Sequence, residues 1–185
     1  MSFNVNTFRS QLEFGGAKPS LFDVTILNPV AGINDQKTTF MIKAASLPSS
    51  TLGEIPVAYF GRTIKLAGDR TFEPWGVTVI NDEDFAVRNA METWSSWMNS
   101  HEGNIQLFGT SSPAAYKAQA IINQYGKNGN VIRTYKFHGL FPTNIEAINM
   151  AWDLTDQIEE FGVTFSYDWW TVEGSTGTAA TGLGI

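Results

Sequence analysis

Between residues 68 and 98 the chain passes from turn to strand to helix with almost no slack, and that succession narrows its possible folds more than any other stretch. The segment Gly68-Asp69-Arg70-Thr71-Phe72-Glu73-Pro74-Trp75-Gly76-Val77-Thr78-Val79-Ile80-Asn81 contains no reactive constellation. Trp75, Val77 and Val79 share one apolar face, the period-two signature of a half-buried strand. Asp82, Glu83 and Asp84 follow, with Asn81 or Asp82 available as an N-cap and acids placed to meet the positive end of a helix dipole. Val87, Ala90, Met91, Trp94, Trp97 and Met98 then recur at helical spacing, and Gly103 lies near the expected stop. This predicts an amphipathic helix covering a sheet.

The remaining pattern is mostly β. Leu21-Phe22-Asp23-Val24-Thr25-Ile26-Leu27 reads as a strand, residues 28–36 as a loop, and residues 38–44 as the returning strand. Residues 47–68 are unusual: Pro48, Gly53, Pro56 and Gly61 punctuate the β-prone fragments Val57-Ala58-Tyr59-Phe60 and Thr63-Ile64-Lys65-Leu66. Proline inside a strand moves it to an edge or out of the sheet, so the segment reads as a long projecting hairpin-like loop or as an edge hairpin. Residues 117–125 suit helix and strand alike; the turn Gly126-Lys127-Asn128-Gly129-Asn130 makes a hairpin with residues 131–137 the economical choice. Ile148, Met150 and Trp152 alternate with smaller residues, as do Phe161, Val163, Phe165, Tyr167 and Trp169, which predicts two one-sided strands.

Length then bounds the domain count. At 185 residues the chain fits one domain, divided as an N-terminal arm over 1–18, a β domain over 19–171 and a flexible Gly/Thr/Ala tail over 172–185. Charged residues make up 16%, below the roughly 25% usual for soluble chains, which points to a surface partly covered by partners. A net charge of -6 argues against a protein that grips nucleic acid, because phosphate affinity comes from Lys and Arg. There are no cysteines, and the two histidines, His101 and His138, lie far apart, so neither a disulfide framework nor a zinc site is expected. No run approaches a membrane span, no basic-then-apolar leader opens the chain, and the product is expected in the cytoplasm where it is made.

Chemistry finds no foothold. Three consecutive acids at a helix start point in different directions, so capping accounts for Asp82, Glu83 and Asp84 better than a metal or acid-base site does. Asp69 and Arg70 suit a turn or a subunit-contact ion pair. The tail glycines Gly174, Gly177, Gly182 and Gly184 lack the Gly-Lys-Ser/Thr of a phosphate loop. No catalytic residue, cofactor or metal ligand is assigned.

Several blocks together resemble the tail-tube proteins of contractile-tailed bacteriophages, the myoviruses. They include Ala17-Lys18-Pro19-Ser20-Leu21-Phe22, Lys43-Ala44 to Leu47-Pro48, Ile55-Pro56-Val57 with Arg62, and above all Ala67-Gly68-Asp69-Arg70-Thr71-Phe72 with Trp75 and residues 77–83. Pro113 with Tyr116-Lys117, Gln124-Tyr125, Gly139-Leu140-Phe141-Pro142-Thr143-Asn144, Trp152-Asp153 and Trp169-Trp170 extend the likeness over about 150 residues. The longer loop at 28–36 and the tail after Thr171 depart from the family pattern.

The resemblance implies a mainly β fold, a small antiparallel barrel or sandwich with one flanking helix and a long projecting loop. It implies a structural virion protein assembled in the host cytoplasm: homohexameric rings stacked into the inner tube of a contractile tail, with the genomic DNA passing through the lumen without specific binding. A tail sheath protein, a baseplate hub, a tail terminator and a tape-measure protein are the implied partners. No cofactor and no membrane insertion are implied. By position, the contacts between subunits and rings fall on the arm and on residues 47–67, with Phe14, Leu47, Pro48, Ile55, Pro56, Arg62, Asp69 and Arg70 as interface candidates. The polar side of the last long strand, Glu160, Thr164 and Ser166, is expected on a solvated wall, lumen or exterior. The alternatives are the inner tube of a cellular contractile injection system and, from another class, a monomeric carbohydrate- or nucleotide-binding β domain using its aromatics as stacking platforms.

Overall fold

One strand belongs to two sheets, and the architecture follows from it. The computed structural model describes residues 5–12, 16–27, 29, 35–106 and 112–174. In chain order the elements are α1 (Val5–Gln11), β1 (Phe22–Leu27), α2 (Asp35–Met41), β2 (Ile42–Ala45), β3 (Thr51–Tyr59), β4 (Arg62–Thr71), β5 (Trp75–Ile80), α3 (Ala86–Met98), a 3-10 turn at Pro113–Ala115, β6 (Ala118–Tyr125), β7 (Val131–Ile145), β8 (Glu160–Ser166) and β9 (Trp169–Gly174). All strand pairs are antiparallel.

The first half of β7 lies between β6 and β9, with β1 beyond β6. Its second half pairs with β8, which leads on to β5 and β2. The crossing from one sheet to the other occurs at Gly139, whose φ of 71° suits a residue without a Cβ. Asp168 sits opposite, between β8 and β9, and a Cβ on Gly139 would collide with its carboxylate. Lys117 Nζ holds that carboxylate at 2.7 and 2.8 Å.

The core fills the space between the sheets. Val24 and Ile26 of β1, Ala120 and Ile122 of β6, Phe137 and Leu140 of β7 face Trp75, Val77 and Val79 of β5 and Phe161, Val163 and Phe165 of β8. Trp75 stacks on Phe137 with ring centroids 4.5 Å apart, joining the two sheets. The third side is closed by α3, whose Val87, Ala90, Met91 and Trp94 are buried as the helical stripe predicts. Trp94 Nε1 donates to Tyr116 O at 2.8 Å, so its polar edge is satisfied as its ring is buried. α2 spans the seam between β1 and β2, where Thr39 Oγ1 donates to Thr25 Oγ1.

Several expectations from the sequence are corrected. Residues 38–44 are not a returning strand: α2 runs to Met41 and only Ile42–Ala45 joins β5. Residues 147–152 form no strand, and Met150 and Trp152 are exposed. The alternation from Phe161 to Trp169 is broken at Asp168, beyond which β9 changes sheets and Trp169 turns outward. The helix begins at Ala86 with no acid in its first turn, and its N-cap is Phe85 in a left-handed conformation with no side-chain cap. Two seven-residue helices, α1 and α2, join the flanking α3. β9 carries residues 172–174 into the sheet, while residues 175–185 of the expected tail lie outside the described residues.

Two of the three acids before α3, Asp82 and Asp84, converge. Lys37 of α2 pairs with Asp82 at 2.8 Å and also with Asp84, fastening the seam helix to the start of α3. Asp84 Oδ1 accepts the Ala86 N–H as well. The Lys37 ammonium, with the Glu83 N–H at Asp82 and the Ala86 N–H at Asp84, holds both carboxyls below the ordinary aspartate value of 3.8. A depressed carboxyl contributes stability present above 3.8 and lost as pH falls through the lower folded value. Lys37→Met is therefore expected to narrow the drop in urea midpoint between pH 6 and pH 3 relative to the parent chain; an equal drop in both would show that the clasp does not contribute.

Candidate assembly surfaces

The β3–β4 ribbon forms a sheet of its own. Its register sets Ile55 against Leu66, Val57 against Ile64 and Tyr59 against Arg62 on one face. The other face carries Glu54, Pro56, Ala58, Thr63 and Lys65, with Lys65 Nζ 2.6 Å from Glu54 Oε2. The apolar face is exposed along its length, with Ile55, Val57, Tyr59, Ile64 and Leu66 all in solvent. At the tip Phe60 is 91% exposed and sits edge-on to Tyr59 at 4.6 Å. Phe60 (φ 42°) and Gly61 (φ 80°) are both left-handed, the geometry of a two-residue hairpin turn. A free ribbon with one continuous apolar face is a surface awaiting a partner.

The base of the ribbon is tied to the body. Trp75 Nε1 donates to Ser46 O at 2.8 Å, and Trp170 Nε1 to Ser49 O at 3.3 Å. Gly68 lies so close to Gly53 that a Cβ there would meet its backbone at 3.1 Å, which explains a glycine at the head of the Gly-Asp-Arg-Thr-Phe block.

The interface candidates do not share one surface. Leu47 is exposed and Pro48 half-buried in the connector, Ile55 and Arg62 lie on the apolar face, and Pro56 lies on the polar face. Asp69 and Arg70 do not pair with each other: consecutive strand residues point to opposite sides, and Arg70 Nη1 donates to Ser50 Oγ at 3.1 Å. Phe14 lies outside the described residues. Val57, Tyr59, Ile64 and Leu66 complete the apolar face and Phe60 caps its tip; all five fall within residues 47–67 but are not among the named candidates, and the period-two spacing of the first four carries the signal.

Glu160, Thr164 and Ser166 lie on the outer side of β8, alternating with the buried Phe161, Val163 and Phe165. Glu160 pairs with Lys43 of β2, and the Thr164 carbonyl accepts from Thr143 Oγ1 at 3.0 Å. Gly76, Thr78 and Gly162 lie beside it, the Glu146 carboxylate rests over Gly162, and the face carries more acid than base. His138 stacks on Trp169 and bonds Thr171 Oγ1. Among the described residues no cluster of three or more His, Cys, Asp or Glu could hold a metal, and no helix is long and apolar enough to cross a membrane.

A two-sheet β body that presents a continuous exposed apolar face on a ribbon paired only with itself has the form of a structural subunit. The chain belongs to the phage tail tube protein family, whose sequence profile matches residues 11–173. It is 37% identical over 155 residues to tail tube protein gp19 of Enterobacteria phage T4, covering 83% of this chain and 90% of that one. It is 29% identical over 168 residues to the tail tube protein of Serratia phage KSP90, covering 88% and 93%. In fold it is similar to a chain of the anti-feeding prophage tube-terminating cap (TM-score 0.62, 17% identity, 86% and 92% covered). It is also similar to a chain of the sheath-tube complex of an extracellular contractile injection system (TM-score 0.56, 14% identity, 94% and 99% covered).

Proposed function

We propose that this chain builds the inner tube of a contractile phage tail, the conduit for genome delivery, as six-membered rings stacked within a sheath. The exposed apolar face of the β3–β4 ribbon carries this reading, because it needs a protein surface to cover it. A head-to-tail contact that closes gives a ring, and a second that does not close gives an open stack. The outer face of β8, whose Lys43 is paired with Glu160 and beside which Glu146 lies, and the net charge of -6 suit a wall that offers DNA no multidentate cationic grip. Sheath, baseplate, terminator and tape-measure proteins are its proposed partners, and it carries out no catalysis. The likeness to injection-system chains is one of fold; the closer sequence relatives favour the phage.

Val57→Asp tests the reading. It places a charge at the centre of the apolar face without touching the core, so unfolding should shift by no more than about 0.5 kcal/mol. Sedimentation velocity and negative-stain imaging, with purified baseplates as seeds, should show hollow tubes from the parent chain and nothing larger than a single ring from the variant. Tubes of ordinary length from Val57→Asp would overturn the role given to the ribbon.

A further inference from the structure

The ribbon and the segment after β7 stand at opposite ends of one sheet. Trp75 pairs with Phe165 at the end from which the ribbon departs, and Ile80 pairs with Glu160 at the other. There, residues 147–158 arch between Ile145 of β7 and Glu160 of β8. Both feet of the arch are fastened. Glu146 N donates to Gly162 O at 2.8 Å, and its carbonyl accepts from Arg88. At the other foot, Asn81 N and Nδ2 donate to the backbone and carboxylate of Glu159, each at 2.8 Å.

What the arch presents complements the ribbon. Trp152 is fully exposed, and Met150 and Ile158 nearly so. Residues 146–160 contain five acids, Glu146, Asp153, Asp156, Glu159 and Glu160, and no Lys or Arg; Lys43 of β2, beside them, pairs with Glu160 and leaves the other four in excess. Arg62 is the sole charge on the apolar face of the ribbon, next to a tip whose Phe60 is held in a left-handed conformation that bulky side chains rarely adopt. Beneath the arch an open cavity of about 1100 Å³ reaches the outer face of the sheet at Thr78 and Gly162. Apolar surface meets apolar surface, cation meets acid, and their placement at opposite ends lets the match repeat from copy to copy.

We propose that the arch over residues 147–158 receives the ribbon tip of another copy of this chain, with Tyr59 and Phe60 against Met150 and Trp152 and Arg62 among the acids. This rests on the tube reading and names the acceptor it leaves open. Two heterologous patches at opposite ends generate a stack that grows in one direction.

The chain has no cysteine, so introduced thiols are the only ones on the tube subunits. Ala58→Cys, on the polar face near the tip, and Ala151→Cys, on the arch, carry different affinity tags and leave the proposed anchors intact. The two are mixed, grown on purified baseplates with sheath protein supplied, and treated with a short bis-maleimide. A cross-linked heterodimer enriched about tenfold or more in tubes over the free-subunit fraction is expected, because a held contact raises the effective concentration of the two thiols. Normal tubes in which Ala58→Cys links elsewhere, to sheath protein or to a thiol placed by Thr171→Cys, would overturn the acceptor while leaving the tube reading intact. No tubes from the parent chain on baseplates would overturn both.

Discussion

Trp75→Ala is expected to lower the free energy of unfolding by about 3–5 kcal/mol, a large part of what a domain of this kind holds. The ring is buried between the sheets, stacked on Phe137 at 4.5 Å and packed against Phe165 at 5.6 Å, so its removal leaves a cavity that two rigid sheets cannot close. Its Nε1 also secures Ser46 O at the root of the ribbon. Trp75→Phe separates the effects: most of the packing is kept, the Ser46 carbonyl loses its donor, and a loss near 1 kcal/mol is expected. Urea titrations followed by circular dichroism measure both. An alanine variant within about 1 kcal/mol of the parent would mean that this tryptophan is not the joint between the sheets.

Gly139→Ala is expected to cost about 2–4 kcal/mol, because two penalties coincide. A left-handed backbone disfavours any Cβ by about 1–2 kcal/mol, and here the Cβ would also meet the Asp168 carboxylate that Lys117 fixes in place. The contributions can be told apart. In the Gly139→Ala/Asp168→Ala pair the collision is gone and the backbone penalty remains, so the double variant should be less destabilised than the two single losses added together. Strict additivity would place the whole cost in the backbone.

The strands were legible where one face is buried and pairing is ordinary. Trp75, Val77 and Val79, then Phe161, Val163 and Phe165, show the alternation because each strand has the core on one side and a polar surface on the other. The α3 stripe was equally plain. α2 was not, since Thr38 and Thr39 suit a strand and the helix is held by contacts distant in sequence, Lys37 with Asp82 and Asp84 and Thr39 with Thr25. The same clasp explains the misplaced cap: Asp82 serves Lys37, and Asp84 divides its carboxylate between Lys37 and the N–H of Ala86 at the start of α3.

Two other errors have a common origin. Ile148, Met150 and Trp152 alternate as a strand would, but they pair with no neighbouring strand, and pairing decides. The alternation through Trp169 conceals the break at Asp168, because the corner is imposed from across the sheet by Gly139. Of the assembly surface, the proline and glycine punctuation announced a projection. The division of that projection into an apolar and a polar face needed the register Val57 to Ile64, and without it Pro56 and Ile55 looked equivalent.

A ribbon paired only with itself also bears on when polymers start. Two strands without a third are marginal in water, so order that the ribbon gains only on docking would carry a cost of the size seen when flexible segments fold on binding, about 2–5 kcal/mol. That cost suppresses encounters between dilute subunits and is offset once a ready-made surface captures the tip. Growth is then expected to show a lag in pure solution and none on a seed, so that an acidic, cysteine-free chain with an oily finger accumulates without polymerising out of place.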